Sequence, residues 1–388
     1  MIMESLLDTD LYKLTMQQAV FHQFPLANVR FKFKCRNEGV VFSQAHVDEI
    51  NKEIEHLCSL TFDEKELDYL STIEFLKPDY IDFLRMFSMN DEYIKVKLNE
   101  GKLEIVIEGP WLHTILFETP VLAIVNEVYF RDCSKGLTAE LSEGNNRLFK
   151  KIHMIQELGD PDFKFSEFGA RRRYSRSWQY VVVRELAEAV PENFVGTSNV
   201  YFAYKHNVNP IGTMAHEWIQ AGQALMNPRY SQKFMLQKWA DEYRGELGIA
   251  LSDTLGLDVF LKDFDSYFAK LFDGVRHDSG DPIRMGEKII AHYKKLKIDP
   301  KSKTIVFSDS LTIPKAIEIY QHFKDRIKVS FGIGTNLTND LGPDPLNIVI
   351  KMTHCNGQPV AKISDNEGKG MCESAEYLQC LKSILEKK

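Results

Sequence analysis

The chain has no stretch approaching the ~18 consecutive apolar residues that a membrane-spanning helix needs. Its first residues, MIMESLLDTDLYKLTM, carry acids where a secretory signal carries bases, and no long apolar segment follows. Both absences predict a cytoplasmic protein with no membrane partner. The six cysteines include no CxxC or CxxxC pair, which excludes a disulfide framework and a zinc site and leaves reduced, structural thiols. Basic residues are also in short supply: 48 Lys and Arg stand against 55 Asp and Glu, a net charge of −7. A general nucleic-acid binder presents a basic face, so that class is excluded. A polyphosphate ligand would need a local basic cluster, backbone N–H groups or a metal, because the overall field opposes it. Repeats and low-complexity segments are absent as well.

What is present is an ordinary globular composition, 44% hydrophobic over 388 residues. That is enough for two domains, or for one barrel with a smaller domain attached. Residues 9–23 read as an amphipathic helix on Leu11, Leu14, Val20 and Phe21. Alternation from Val29 marks a strand, and residues 93–108 repeat it on both sides of Asn99-Glu100-Gly101, a hairpin signal. From about residue 160 the rhythm changes to short apolar strands followed by helices. The strand candidates are Phe163–Ser166, Asn193–Gly196, Pro210–Met214, Gly248–Leu251, Gly274–Arg276, Thr304–Ser308 and Ile327–Phe331. Helices are expected at 174–189, 258–272, 283–296 and 313–324. About seven β-then-α units fit a closed or nearly closed parallel barrel better than an open doubly wound sheet. Residues 346–363 return to alternation around Asn356-Gly357, and a last helix is expected near 373–386. The division expected is an α+β domain at 1–120, a barrel domain at 121–345, and a segment at 346–388 packing back on the first.

Polar residues gather after each barrel strand in turn, and in a β/α barrel those points share one face, where active sites are built. Phe168-Gly-Ala-Arg-Arg-Arg offers guanidinium donors for a phosphate or carboxylate, with Arg171 as the member directed at the site. Thr197 and Ser198 follow the second strand, and His216 follows the third, in Gly212-Thr-Met-Ala-His-Glu-Trp. An imidazole becomes a nucleophile when a carboxylate fixes its tautomer, and Glu217 and Asp253 are both candidates for that carboxylate. His277 is the rival histidine. Asp278, Ser279 and Asp281 form an acidic turn beside Arg276, suited to Mg²⁺ shared with phosphates or to sugar hydroxyls. Asp281 before Pro282 also suits a plain helix cap. Asp309 follows the sixth strand. Gly332-Ile-Gly334-Thr335-Asn336 can turn sharply and aim N–H groups at an anion, although glycines there also suit a structural turn.

These motifs, with Thr9-Asp-Leu-Tyr-Lys-Leu-Thr-Met at the start, Gly196-Thr-Ser-Asn and Phe307-Ser-Asp-Ser-Leu between, resemble the nicotinate phosphoribosyltransferase family along nearly the whole chain. The resemblance implies an incomplete, about seven-stranded TIM-like α/β barrel with an N-terminal α+β domain joined by C-terminal strands. It implies nicotinate, phosphoribosyl pyrophosphate (PRPP) and ATP as substrates, with Mg²⁺ tentatively on Asp253 and Asp278. His216 would be the residue ATP phosphorylates. Phe168 would stack on one face of the pyridine, and Tyr12, from the partner subunit of a head-to-tail homodimer, on the other. Arg171 and Arg276 would neutralise the ring carboxylate or phosphates, Asp253 and Asp278 would approach the ribose, and Gly332, Gly334 and Thr335 would cradle the 5′-phosphate. Ser198 stands where nicotinamide-using relatives carry Asp, so the acid is the expected substrate. A sugar-phosphate isomerase or lyase would want a lysine at a strand end, and none is there. A non-catalytic binding protein would have lost the histidine or the acidic turn.

Overall fold

A computed structural model describes residues 1–133, 137–365 and 370–386. Strands β1 (Asn28–Cys35), β2 (Ile94–Asn99) and β3 (Lys102–Pro110) come first. Seven strands follow in β-then-α order: β4 (Lys164–Glu167), β5 (Phe194–Thr197), β6 (Asn209–Pro210), then, after the short β7 (Arg244–Leu247), β8 (Ile249–Leu251), β9 (Gly274–His277), β10 (Thr304–Phe307) and β11 (Lys328–Ile333). Near the end come β12 (Ile348–Cys355) and β13 (Gln358–Pro359).

All seven strands expected from about residue 160 exist and form one sheet, ordered β6-β5-β4-β11-β10-β9-β8. Every pairing in it is parallel. The first strand of the set thus pairs with the last, β4 with β11, which curls the sheet on itself and rules out the doubly wound alternative. Among the described residues β6 and β8 do not pair, so the barrel is incomplete there. One side-chain bond, Thr213 Oγ1 to Ile249 O at 3.2 Å, crosses the gap. The third strand is shorter than expected, two residues rather than five, because the chain leaves the sheet after Ile211, whose N–H still bonds Thr197 O at 2.8 Å, to form the cavity wall. Outside the sheet, Phe163, Phe307 and Phe331 stack in a row against Tyr320 and Phe323 of the helix Ile313–Phe323.

The second sheet is antiparallel, ordered β13-β12-β1-β3-β2. Both expected hairpins are present. Glu100 and Gly101 (φ +48° and +77°), and Asn356 and Gly357 (φ +48° and +75°), take the left-handed pairs of tight two-residue turns. β12 lies against β1 from Val29↔Cys355 to Cys35↔Ile348, which fastens the end of the chain to its beginning. The expected helix at 258–272 is instead two, Leu257–Asp263 and Ser266–Leu271, since Asp265 caps a new start by accepting from Tyr267 N. No helix among the described residues is long and apolar enough to cross a membrane.

Close backbone approach in the barrel is enforced at Gly274, where a Cβ would sit 1.9 Å from Thr304 O. Gly274→Ala is expected to lose about 3 kcal/mol through forced strand separation. Urea unfolding measures this, and an unchanged midpoint would contradict it.

Candidate active site

The C-terminal ends of the barrel strands open on a cavity of about 300 Å³. Phe168 and Arg171 reach it after β4, Ser198 after β5, and His216 after β6. Arg276 and Asp278 arrive from β9 and its turn, Asp309 after β10, and Gly334 and Thr335 after β11. Tyr12 closes the wall from the helix Leu11–Gln23. The expected residues Thr197, Asp253, Ser279 and Gly332 are not in the wall.

His216 is the first residue of the helix His216–Leu225, and its ring is buried. Nε2 is 2.9 Å from Asp253 Oδ1 and 3.4 Å from Asp278 Oδ2. Asp253 is the orienting carboxylate; Glu217, the other candidate, turns away to Lys13 and Trp111. Ser279 donates to Asp253 Oδ2 at 2.7 Å, and Lys362 Nζ stands 3.0 Å from the same oxygen. Burial, with Lys362 nearby, pushes the imidazole down to about 4, so the ring is neutral at pH 7. Burial opposes the charge on Asp253 too, but His216 and Lys362 outweigh it and hold the carboxyl well below its usual range. A carboxylate on Nε2 fixes the proton there and leaves a lone pair on Nδ1. His277, the rival, is spent on the Gly280 carbonyl and packs at a tilt beside Phe307.

His216, Asp253 and Asp278 lie close enough together to suggest a metal. Asp253 does not suit one: both its oxygens already accept from donors, and an ammonium adjoins it. Asp278 suits one better: its side chain is 28% exposed and borders the cavity, with Ser308 Oγ on its Oδ1 at 3.1 Å and Lys362 Nζ farther off, 3.9 Å from Oδ2.

Around Tyr12 the charges are paired loosely. Arg171 lies 5.7 Å from the Tyr12 ring centroid, with Nε 3.6 Å from Asp10 Oδ2 and Nη1 3.5 Å from Glu118 Oε1. The Tyr12 hydroxyl is buried without a hydrogen-bond partner. On the far side, Arg36, Arg172 and Lys351 border the cavity with no ion pair among the described residues. Burial lowers all three, Arg172 to about 10 and Lys351 to about 8. Cations whose charge is disfavoured in this way gain most from an incoming anion.

Residues 163–388 match the family model of the Nicotinate phosphoribosyltransferase (NAPRTase) family, and residues 7–126 match that of its N-terminal domain. The chain is 54% identical to a nicotinate phosphoribosyltransferase of Ralstonia nicotianae over 99% of both chains. The chain belongs to the nicotinate phosphoribosyltransferase family. Solved structures agree: the nicotinate phosphoribosyltransferase of Vibrio cholerae superposes with a TM-score of 0.94 at 41% identity, covering 99% of this chain and 94% of that one. That of Porphyromonas gingivalis gives 0.92 at 37%, covering 99% and 100%.

Within this member of the nicotinate phosphoribosyltransferase family, several expected placements need correction. Tyr12 of this chain borders its own cavity, because Leu11 N bonds Ser198 O and Val200 N bonds Thr9 O, docking the segment in cis. Ser198 does not leave its corner free of carboxylate: its hydroxyl donates to Asp10 Oδ1 at 2.5 Å. Thr197 is enclosed and donates to Glu167, and Ser279 serves Asp253. Asp281 takes the plain role, capping the helix Pro282–Lys295 by accepting from Arg284 N at 2.7 Å. Gly332 makes room for Phe168, since a Cβ there would lie 2.3 Å from the ring.

The cations Arg36, Lys351 and Lys362 and the acid Glu118 carried no site signal in the sequence, and Asp10 stood in a quoted motif with no role given to it. Gly332→Ala is expected to displace Phe168, costing the ~1–3 kcal/mol of overpacking and so lowering the melting temperature, and to weaken ring binding. An unchanged melting temperature and KM would show that the ring has room.

Proposed function

We propose that this chain is an ATP-coupled nicotinate phosphoribosyltransferase, acting in the cytoplasm at the first step of NAD salvage from nicotinate. The observation that carries the reading is His216: neutral, tied at Nε2 to Asp253, and bordering a cavity lined by several cations. Relatives across the full chain length are named for the same transfer.

In the transfer, the nicotinate ring nitrogen attacks ribose C1 of PRPP. The C1–O bond breaks and pyrophosphate departs, giving nicotinate mononucleotide. The transition state is cationic at ribose, so positioning and charge matter more than a strong base. Tyr12 and Phe168 would flank the flat ring, with Arg171 on its carboxylate. Arg36, Arg172 and Lys351 would take the phosphates, with Gly334 and Thr335 at the 5′ end. Mg²⁺, when bound, would neutralise pyrophosphate oxygens and would be held by Asp278.

ATP enters separately. His216 Nδ1 attacks the γ-phosphorus, ADP leaves, and the Nε2 proton stays in its bond to Asp253. Water later cleaves the N–P bond and releases phosphate. The dianion at a helix N-terminus would be favoured there, and would reorganise the nearby cations to favour PRPP binding and pyrophosphate release. The homodimer implied by the resemblance belongs to the same proposal.

Three measurements test this. Nicotinate, PRPP and ATP together should release pyrophosphate, with a higher kcat/KM than nicotinamide gives; the reverse preference would overturn the substrate assignment. Labelled γ-phosphate should enter the parent protein and not His216→Asn; equal labelling would refute the acceptor. Because the folded pKa of His216 lies near 4, the ring stays deprotonated at every higher pH. The labelling rate should therefore hold level from neutrality to about pH 5 and fall only as protonation sets in near 4. A fall centred at an ordinary histidine value would contradict the buried, neutral ring.

A further inference from the structure

In and behind the wall of the ring pocket lies a row of buried charges that the transfer steps do not use. Lys13 is fully buried, and its Nζ lies 2.6 Å from Glu118 Oε2 while also bonding Glu217. Glu217 is held on its other oxygen by Trp111 Nε1 at 3.1 Å. The other oxygen of Glu118 stops 3.5 Å from Arg171 Nη1. A charge-assisted N–H···O bond closes to about 2.7–2.9 Å, so Glu118 has closed on Lys13 and has not closed on Arg171. Asp10, on the other side of Arg171, is likewise held off at 3.6 Å while it accepts from Ser198 and Thr119.

This spacing bears on the substrate. Nicotinate carries a carboxylate, and Arg171 is the guanidinium in the wall beside Tyr12. Glu118 and Asp10 compete with that carboxylate for the same donors. We propose that Lys13 is a positioning residue for acid-substrate binding: by occupying Glu118, it keeps that carboxylate from clamping Arg171 and leaves the guanidinium free for the ring carboxylate. The proposal rests on the nicotinate reading above. Without the Lys13 charge, the cations left near Glu118 are Lys351 and Arg171. A buried carboxylate stripped of its partner takes the nearest donor, because remaining unpaired is costly. Glu118 would then swing to Arg171, and nicotinate would have to displace it.

Steady-state kinetics on the full chain test this, with nicotinate and PRPP varied separately. Lys13→Met should raise KM for nicotinate about tenfold, the value of one charge-assisted bond, and change KM for PRPP by less than about twofold. Adding Glu118→Gln should restore most of the loss, since a neutral amide no longer competes for Arg171; a merely structural role for Lys13 would show no such rescue. Glu118→Gln alone keeps the side-chain shape and carries the test if Lys13→Met fails to fold. It should lower KM for nicotinate. A raised KM in Glu118→Gln, or a double variant as impaired as Lys13→Met, would overturn the proposal. Absence of nicotinate turnover in the parent protein would instead overturn the substrate reading.

Discussion

The site is organised by one hydrogen bond, from His216 Nε2 to Asp253 Oδ1. A buried carboxylate is costly unless it is paired, and here Lys362 and Ser279 supply the pairing at its second oxygen. With the charge balanced, Asp253 can stay ionised and fix the imidazole tautomer while burial keeps the ring neutral. Each partner arrives from a different part of the fold. His216 comes from the end of β6, Asp253 from β8, Ser279 from the turn after β9, and Lys362 from the returning tail. The tail is itself fixed by the β12–β1 pairing and by Asp365 N bonding Ser279 Oγ at 3.2 Å. The barrel and the antiparallel sheet therefore both have to be in place before the histidine is set.

An acidic protein that handles anions must concentrate its cations locally, and this one does so around a single cavity. Arg171 is compensated by nearby carboxylates, whereas Arg36, Arg172 and Lys351 have no ion pair among the described residues. The first arrangement suits recognition of one small carboxylate, with the donors oriented and the charge kept in check. The second suits polyphosphate, whose several negative charges offset the burial penalty of all three cations together.

Periodicity revealed the seven barrel strands, both hairpins and the last helix, because those features are local and repeat at fixed spacing. The third strand was overestimated because Gly212 leaves the sheet to pack beside Tyr12, where a Cβ would meet the Tyr12 backbone nitrogen at 2.9 Å. The first helix was found, but its environment was not. A polar side chain in an amphipathic pattern is read as facing water, yet Lys13, Thr15, Gln17 and Gln18 are all buried and pair inside the protein. Lys351 was hidden in the same way inside the alternating run of β12. The strand-end rule located His216, Asp278 and Arg276. It could not find cations delivered from elements outside the barrel.

The proposed phosphate transfer requires Asp253 to hold His216 as the neutral Nε2–H tautomer, with Nδ1 bare. Nitrogen-15 NMR of imidazole-labelled protein tests it directly, with His216→Asn identifying one signal set among 11 histidines. Nε2 should be protonated and Nδ1 bare from neutral pH down to about 5, with protonation of the ring only near 4. A proton on Nδ1 at neutral pH, or a titration at the usual histidine value, would contradict it.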